Sequence, residues 1–261
     1  MYFEFNSDDH LLRSYLEENG FIVIKNILDK SKINSLDNAF NNEFLKYAIN
    51  HTGNSKVLPG ASYLIEEIRN IIVDKKLNVI FKKLFNNKFY YFTSHCDMHL
   101  GLSSGWHKDD GGGSYFENLD NYFTDKDCKV FKVGFYLRDA TNFGGLTVKK
   151  GSHKFNNKDQ GENIYISSNL GDIFIFDVRL THKGDETNSI LQKIKKKIGF
   201  NPLNYDRKSV FFTYGADNEY TKIFSHKNIF RQKSQLKNYD ISYKNKNFQN
   251  ELNSLGVGLY E

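Results

Sequence analysis

The sequence predicts a mainly β protein, an antiparallel sandwich or jelly roll with helices packed on its outside, and three observations carry that prediction. From about residue 88 onward the apolar pattern breaks into short strand-length runs punctuated by glycine and asparagine. Before that point the apolar spacing is helical. Aromatics make up 15% of the 261 residues, with 23 Phe and 16 Tyr, a composition suited to pleated, half-buried surfaces. No Pro/Ser-rich linker and no internal repeat divides the chain, so a single domain over 1–261 is expected. It comprises a helical part over about 1–87, a β core over about 88–216 and a less regular tail over about 217–261.

Ser7, Asp8 and Asp9 precede a helical pattern at Leu11, Leu12, Tyr15 and Leu16 that stops at Gly20, which gives a capped helix of about three turns. Phe21 to Ile24 reads as a buried strand. Helical patterns follow from about Asp29 to Tyr47, Ser62 to Val73 and Leu77 to Phe85. The strand readings are Phe89 to Leu102, Lys129 to Leu137, Leu146 to Val148, Ile164 to Ile166, Asp172 to Phe176 and Ser209 to Thr213.

The formal net charge of +5 comes from 36 basic against 31 acidic residues, an excess too small and too dispersed to indicate nucleic acid as a partner. The densest basic cluster, Lys193 with Lys195, Lys196 and Lys197, alternates with Ile190, Leu191, Ile194 and Ile198 as in an amphipathic surface helix. Cys96 and Cys128 are too few for a disulfide framework or a four-thiolate site, so reduced, structural thiols are expected. The first ten residues lack a basic segment followed by an apolar one, and no later run approaches membrane-spanning length; a cytoplasmic protein without a membrane partner is the expectation.

The segment Ser104-Gly105-Trp106-His107-Lys108-Asp109-Asp110 places an imidazole and a carboxylate two residues apart, and in extended backbone these project to one side. Asp110, adjacent to Asp109, points the other way. A third ligand is available at His182, after the apolar strand that begins at Gly171-Asp172. Two His and one carboxylate on one face of an iron leave three coordination positions, enough for a bidentate 2-oxo acid and then O2. Arg207 and Ser209 alternate on one side of the last strongly apolar strand, where a guanidinium fork and a hydroxyl could hold a carboxylate. A rival set is His95, Asp97 and His99, which share a strand face; they could bind zinc, line the same barrel or pair with one another. His153 reads as a turn residue.

In sequence order these segments resemble the phytanoyl-CoA dioxygenase-like branch of the Fe(II) and 2-oxoglutarate-dependent oxygenases. Glu18-Asn19-Gly20-Phe21-Ile22-Val23-Ile24-Lys25-Asn26 resembles the family's opening helix-to-strand segment, and Gly105-Trp106-His107-Lys108-Asp109 its metal-binding pair. Leu137-Arg138-Asp139-Ala140-Thr141, continuing through Gly144-Gly145-Leu146 to Lys150-Gly151-Ser152-His153-Lys154, is similar to the family's Asn-Gly-x-Leu … Pro-Gly-Ser-His stretch. Gly171 to His182 resembles the distal histidine segment and Arg207-x-Ser209 the cosubstrate anchor, so the resemblance covers roughly residues 15 to 215. Two departures stand out. Lys150 replaces the usual proline, and His182 and Arg207 are spread apart by what looks like an insertion from about Ile190 to Tyr205, which leaves Arg179 as the alternative anchor.

The resemblance implies a double-stranded β-helix, a cupin-like jelly roll, with Fe(II) on His107, Asp109 and His182 and the distal carboxylate of 2-oxoglutarate on Arg207 and Ser209. It implies an O2-consuming hydroxylase that releases succinate and CO2 and acts on a small molecule, an acyl compound or a sugar-containing compound. A carboxylate at Asp109 favours hydroxylation over halogenation, because relatives that halogenate carry a small residue there. Tyr115, Phe116, Tyr122 and Phe123 could form a lid over the substrate or serve as packing. The alternative is a non-oxidative metal-binding cupin-like protein, either a zinc hydrolase or isomerase on His95, Asp97 and His99 or a ligand-binding relative without turnover.

Overall fold

Asp8 opens the first helix, α1 (Asp9–Asn19), by accepting a hydrogen bond from the Leu11 amide at 2.9 Å, and Gly20 closes it at φ 83°. Only glycine suits that position. Beyond the left-handed backbone, a Cβ there would lie 2.6 Å from both His153 Nδ1 and Leu180 Cδ1. The computed structural model describes residues 1–260 apart from 52–54, 102–103, 120, 142–143, 185–206, 240 and 243–244. The Lys-rich segment read as a surface helix and insertion lies outside the described residues.

The described strands are β1 (Tyr2–Phe3), β2 (Phe21–Ile24), β3 (Ile49–Asn50), β4 (Lys56–Pro59), β5 (Tyr90–Leu100), β6 (Val130–Tyr136), β7 (Leu146–Lys150), β8 (Glu162–Ile166), β9 (Ile173–Asp177), β10 (His182–Gly184), β11 (Lys208–Ala216) and β12 (Val257–Leu259). A main sheet runs in the order β1-β2-β9-β6-β11-β5-β4-β3, with β12 also paired to β5, and a short sheet runs β10-β7-β8. Consecutive partners in the centre of the main sheet are far apart in sequence and antiparallel, as a jelly roll requires. The fold class expected from the sequence is therefore observed.

The run Phe21 to Ile24 is apolar throughout because both of its faces are covered. Ile22 and Ile24 join an outer core with Leu12, Leu16, Ile80 and Phe81, between the main sheet and the helices α1, α2 (Lys30–Ala39), α3 (Leu45–Tyr47), α4 (Ala61–Leu64), α5 (Glu66–Ile72) and α6 (Lys75–Leu84). Phe21 and Val23 join an inner core with Phe174, Phe176, Leu146 and Val148, between the two sheets. The helical pattern from Asp29 to Tyr47 is realised as α2, a π-helical turn Phe40–Phe44 and α3.

The tail is more regular than the sequence suggested, with helices α7 (Glu219–Gln235) and α8 (Lys246–Ser254) and strand β12. The buried residues of α7 include Thr221, Ser225, Asn228 and Gln232, and it docks through polar contacts: Ser225 Oγ donates to Thr93 O at 2.8 Å and Gln232 Nε2 to Ser94 O at 3.2 Å. A helix docked as much by hydrogen bonds to the kinked middle of β5 as by Tyr220 and Phe224 lacks the clean apolar stripe that marks helices in sequence. Cys96 and Cys128 are free and buried. Among the described residues no helix is long and apolar enough to cross a membrane.

Candidate metal centre

The interior of the barrel divides into an apolar end and a polar one. Phe174, Phe176, Leu146 and Val148 fill the first. Near the second, His95, Asp97 and His99 on β5, Lys132 on β6 and Arg207, Ser209 and Thr213 at or on β11 follow the alternation that turns every second side chain inward. His107, Asp109 and His182 lie on the boundary.

The backbone joins the two histidines. His107 N–H donates to His182 O and His182 N–H to His107 O, both at 2.9 Å, an isolated antiparallel bridge that extends the short sheet beyond β10. Asp109 N–H donates to Val178 O at 2.8 Å. His107 Nδ1 donates to Gly105 O at 2.7 Å and His182 Nδ1 to Leu180 O at 2.9 Å, so each ring keeps its Nε2 lone pair for a ligand. Nε2 of His107 is 3.8 Å from Asp109 Oδ1, and Nε2 of His182 is 3.3 Å from Asp109 Oδ2. Donors about 2.1 Å from one metal and at right angles to each other stand about 3 Å apart, so the spacing suits a single ion. Among the described residues this is the one group of three or more His, Cys, Asp or Glu whose ligand atoms converge, all within 4.8 Å.

Asp109 Oδ2 is buried and ion-paired with Lys132 Nζ at 2.6 Å. A buried carboxylate facing two imidazole lone pairs fits a divalent cation, and the two-His, one-carboxylate set is the donor set of non-haem Fe(II). Burial opposes ionisation of Asp109, but Lys132 and then His182 and His107 outweigh it and hold the carboxyl well below the usual range. Burial is the main reason that the His182 imidazole is pushed down to about 3 and stays neutral. Lys108 and Asp110 point away from the centre. Lys108 Nζ donates to Ser152 O and Arg179 O, and Asp110 caps the amides of Gly112 and Gly113 and accepts from Tyr122.

Arg207 lines the same cleft as the three candidate ligands, together with His99, Ser104, Lys132, Leu146, Gly184 and Phe211. Its Nε donates to Gly144 O at 2.7 Å and its Nη2 to Gly145 O at 3.0 Å and Tyr136 Oη at 3.2 Å. Gly184 makes room for it, because a Cβ there would come within 3.1 Å of Nη1. Ser209, almost fully buried, pairs with His99 and Tyr136 across the sheet two residues further on. Arg179, the alternative anchor, is committed elsewhere. It holds both oxygens of Asp177 at 2.8 and 2.7 Å and donates to the carbonyls of Tyr122 and Asp125, and it does not line the cleft.

The rival set does not converge on a point. His95 Nδ1 shares a hydrogen bond with Thr213 Oγ1 at 2.8 Å, and Asp97 Oδ2 is engaged by His95 at 3.4 Å and Arg231 at 2.8 Å. His99 alone of the three lines the cleft; burial first, then Lys132 and Arg207, push its imidazole down to about 3. His153 bonds Glu17 O from the turn after β7, as expected for a structural residue. Of the aromatics that could form a lid, Phe116 and Tyr122 are core residues, packed with Cys128, Val130 and Phe224. Sequence reasoning missed Lys132 and Tyr136. The signal for Lys132 was there, a lone charge in the run Val130-Phe131-Lys132-Val133.

The fold is a jelly roll of the double-stranded β-helix type, which solved enzymes dependent on alpha ketoglutarate share. Three solved structures illustrate the likeness. The epimerase SnoN in complex with Fe3+, alpha ketoglutarate and nogalamycin RO has a TM-score of 0.58 at 12% identity, covering 80% of this chain and 83% of that one. The alpha ketoglutarate-dependent carbocyclase SnoK from nogalamycin biosynthesis gives 0.59 at 13%, covering 80% and 84%. EctD from S. alaskensis in its apoform gives 0.56 at 15%, covering 81% and 79%. No protein-family model and no curated protein matches the sequence, so the resemblance to the phytanoyl-CoA dioxygenase-like branch rests on its motifs.

Proposed function

We propose that this protein is an Fe(II)- and 2-oxoglutarate-dependent dioxygenase that hydroxylates a small polar molecule, with His107, Asp109 and His182 holding the metal and Arg207, assisted by Ser209, holding the distal carboxylate of 2-oxoglutarate. The observation that carries the reading is the convergence of three metal-type donors and a buried guanidinium on one cleft. When bound, the iron supplies the O2 chemistry that turns 2-oxoglutarate into succinate and CO2 and oxidises a C–H bond.

The chain's own residues do the positioning. The paired backbone bonds between His107 and His182 fix the angle between two ligands, and the carbonyls of Gly105 and Leu180 fix their tautomers. Gly144, Gly145 and Tyr136 hold the Arg207 fork in the cleft, so little side-chain freedom is lost when a carboxylate arrives. Phe211 and Leu146 give the cleft apolar walls that would limit the access of water to a bound cosubstrate. The structural neighbours include an epimerase and a carbocyclase, so this fold accommodates several oxidative outcomes. A carboxylate at Asp109 supports hydroxylation here over halide transfer.

The test is succinate formation from 2-oxoglutarate with Fe(II) and O2, paired with anaerobic Fe(II) binding. Wild-type protein should do both, while His107→Ala and Asp109→Ala should lose both and His95→Ala should keep most of its metal affinity. Equal loss in all three variants, or tight zinc binding without succinate, would overturn the proposal.

A further inference from the structure

Lys132 has no counterpart among the motifs that led to this site. It projects from the middle of β6 into the barrel, is 8% exposed, and among the described residues its one ionic partner is Asp109, at 2.6 Å. A divalent ion at the centre would compete for that carboxylate, since both of its oxygens face the imidazoles. A carboxylate can bind a metal through one oxygen and an ammonium through the other, but a metal on Asp109 would take up much of the negative charge that Lys132 now faces and repel the ammonium. When metal loads, Lys132 needs another anion. The described lining of the cleft offers none, because Asp109 is its one acidic residue. A ligand that carries an anion would supply it.

We propose that Lys132 is the second carboxylate-binding cation of the cleft, so that Lys132 and Arg207 hold a 2-oxo dicarboxylate at its metal end and its far end respectively. This rests on the reading of the cleft as a 2-oxoglutarate site and adds a selection rule to it. Two cations and a divalent metal face one resident carboxylate, an excess of positive charge that a dianion matches better than a monoanion. It also couples the two binding events. Before the dianion arrives Lys132 competes with the metal for Asp109, and afterwards it is drawn off, so each ligand tightens the other.

The experiment measures Mn(II) affinity from the loss of the free-ion paramagnetic resonance signal, and then calorimetric binding of three ligands to the Mn(II)-loaded protein. The ligands are 2-oxoglutarate, 2-oxopentanoate, which lacks the far carboxylate, and 4-oxopentanoate, which lacks the metal-end carboxylate. Lys132→Met should bind Mn(II) alone more tightly than wild type. It should lose about tenfold or more in affinity for 2-oxoglutarate and 2-oxopentanoate while binding 4-oxopentanoate as wild type does. Arg207→Met should show the complementary pattern, weakened for 2-oxoglutarate and 4-oxopentanoate. Lys132→Gln carries the same comparison if the methionine variant does not fold. Wild-type selectivity in the Lys132 variants, with Arg207→Met behaving as expected, overturns this inference and leaves the function standing. Failure of wild-type protein to bind 2-oxoglutarate at all overturns both.

Discussion

Arg179 and Arg207 are both buried, and one sits where sequence spacing could have made it the cosubstrate anchor; replacing Arg179 with Met separates the two. Arg179 donates Nε and Nη2 to the two oxygens of Asp177, which is 3% exposed, and Nη1 to the carbonyls of Tyr122 and Asp125. Removing it strands a buried carboxylate and two loop carbonyls. Breaking a buried pair from one side costs about 3–5 kcal/mol, a large part of the roughly 5–15 kcal/mol that holds a domain folded. For a chain of this size each kcal/mol lowers the melting temperature by about 2–4 °C, so a loss of about 10 °C is expected. Thermal melts followed by circular dichroism measure it, and calorimetry on the Mn(II)-loaded protein below the melt measures 2-oxoglutarate affinity, which should stay near wild type. A variant that melts with the wild type but fails to bind 2-oxoglutarate would refute the assignment of Arg179 to the fold and of Arg207 to the site.

Arg207→Lys is expected to raise the 2-oxoglutarate requirement about tenfold or more, roughly 1.4 kcal/mol, with Mn(II) affinity unchanged, because an ammonium cannot reproduce the two parallel bonds of a guanidinium. Burial, with a smaller push from Lys132 and against the pull of Asp97, lowers the pKa of His95 in the fold below the ordinary value of about 6.5 that it has in the unfolded chain. The unfolded state therefore binds more protons below that pH, so stability from this group is present above it and lost as pH falls. Urea unfolding from pH 7.5 to 5 should show a shallower pH dependence in His95→Gln than in wild type, and identical slopes would rule the account out. Cys96 and Cys128 are buried, and burial pushes both thiols up, so neither should react with a disulfide reagent until denaturant is added.

The fold class and the three candidate ligands were legible because each depends on local pattern. His107 and Asp109 needed only the alternation of extended chain, and the structure places Lys108 and Asp110 on the opposite side as that alternation requires. Within β5 Ser94 adopts φ 60° where the register with β11 shifts, which no periodicity reveals. The tail was misread for a related reason. Its longest helix is anchored by Ser225, Gln232 and Arg231 reaching the backbone of β5 and Asp97, and such contacts appear only once two distant segments meet. Arg207 could be proposed from sequence, but its support could not, since Gly144, Gly145 and Tyr136 come from two other parts of the chain.

The position of the candidate ligands at the boundary of the barrel interior explains why so few residues suffice to build the site. On one side the inner core of Phe174, Phe176 and Leu146 fixes β9 and the short sheet, and with it His182 at the start of β10. The ring of Phe176 lies 4.8 Å from that of His182, so the imidazole is packed as well as hydrogen-bonded. On the other side inward-facing polar residues can stay buried only because they pair: His95 with Thr213 and Asp97, Asp97 with Arg231, Asp109 with Lys132. The first two arrangements leave Asp97 Oδ1 without a hydrogen bond, but none of their side chains lines the cleft. Asp109 and Lys132 are different, because the carboxylate faces two free imidazole lone pairs and the ammonium shares a cleft with Arg207. Among the described residues lining the cleft that is the one pair of opposite charge, and under the proposed reading it is the pair that a metal and a dianion would divide between them.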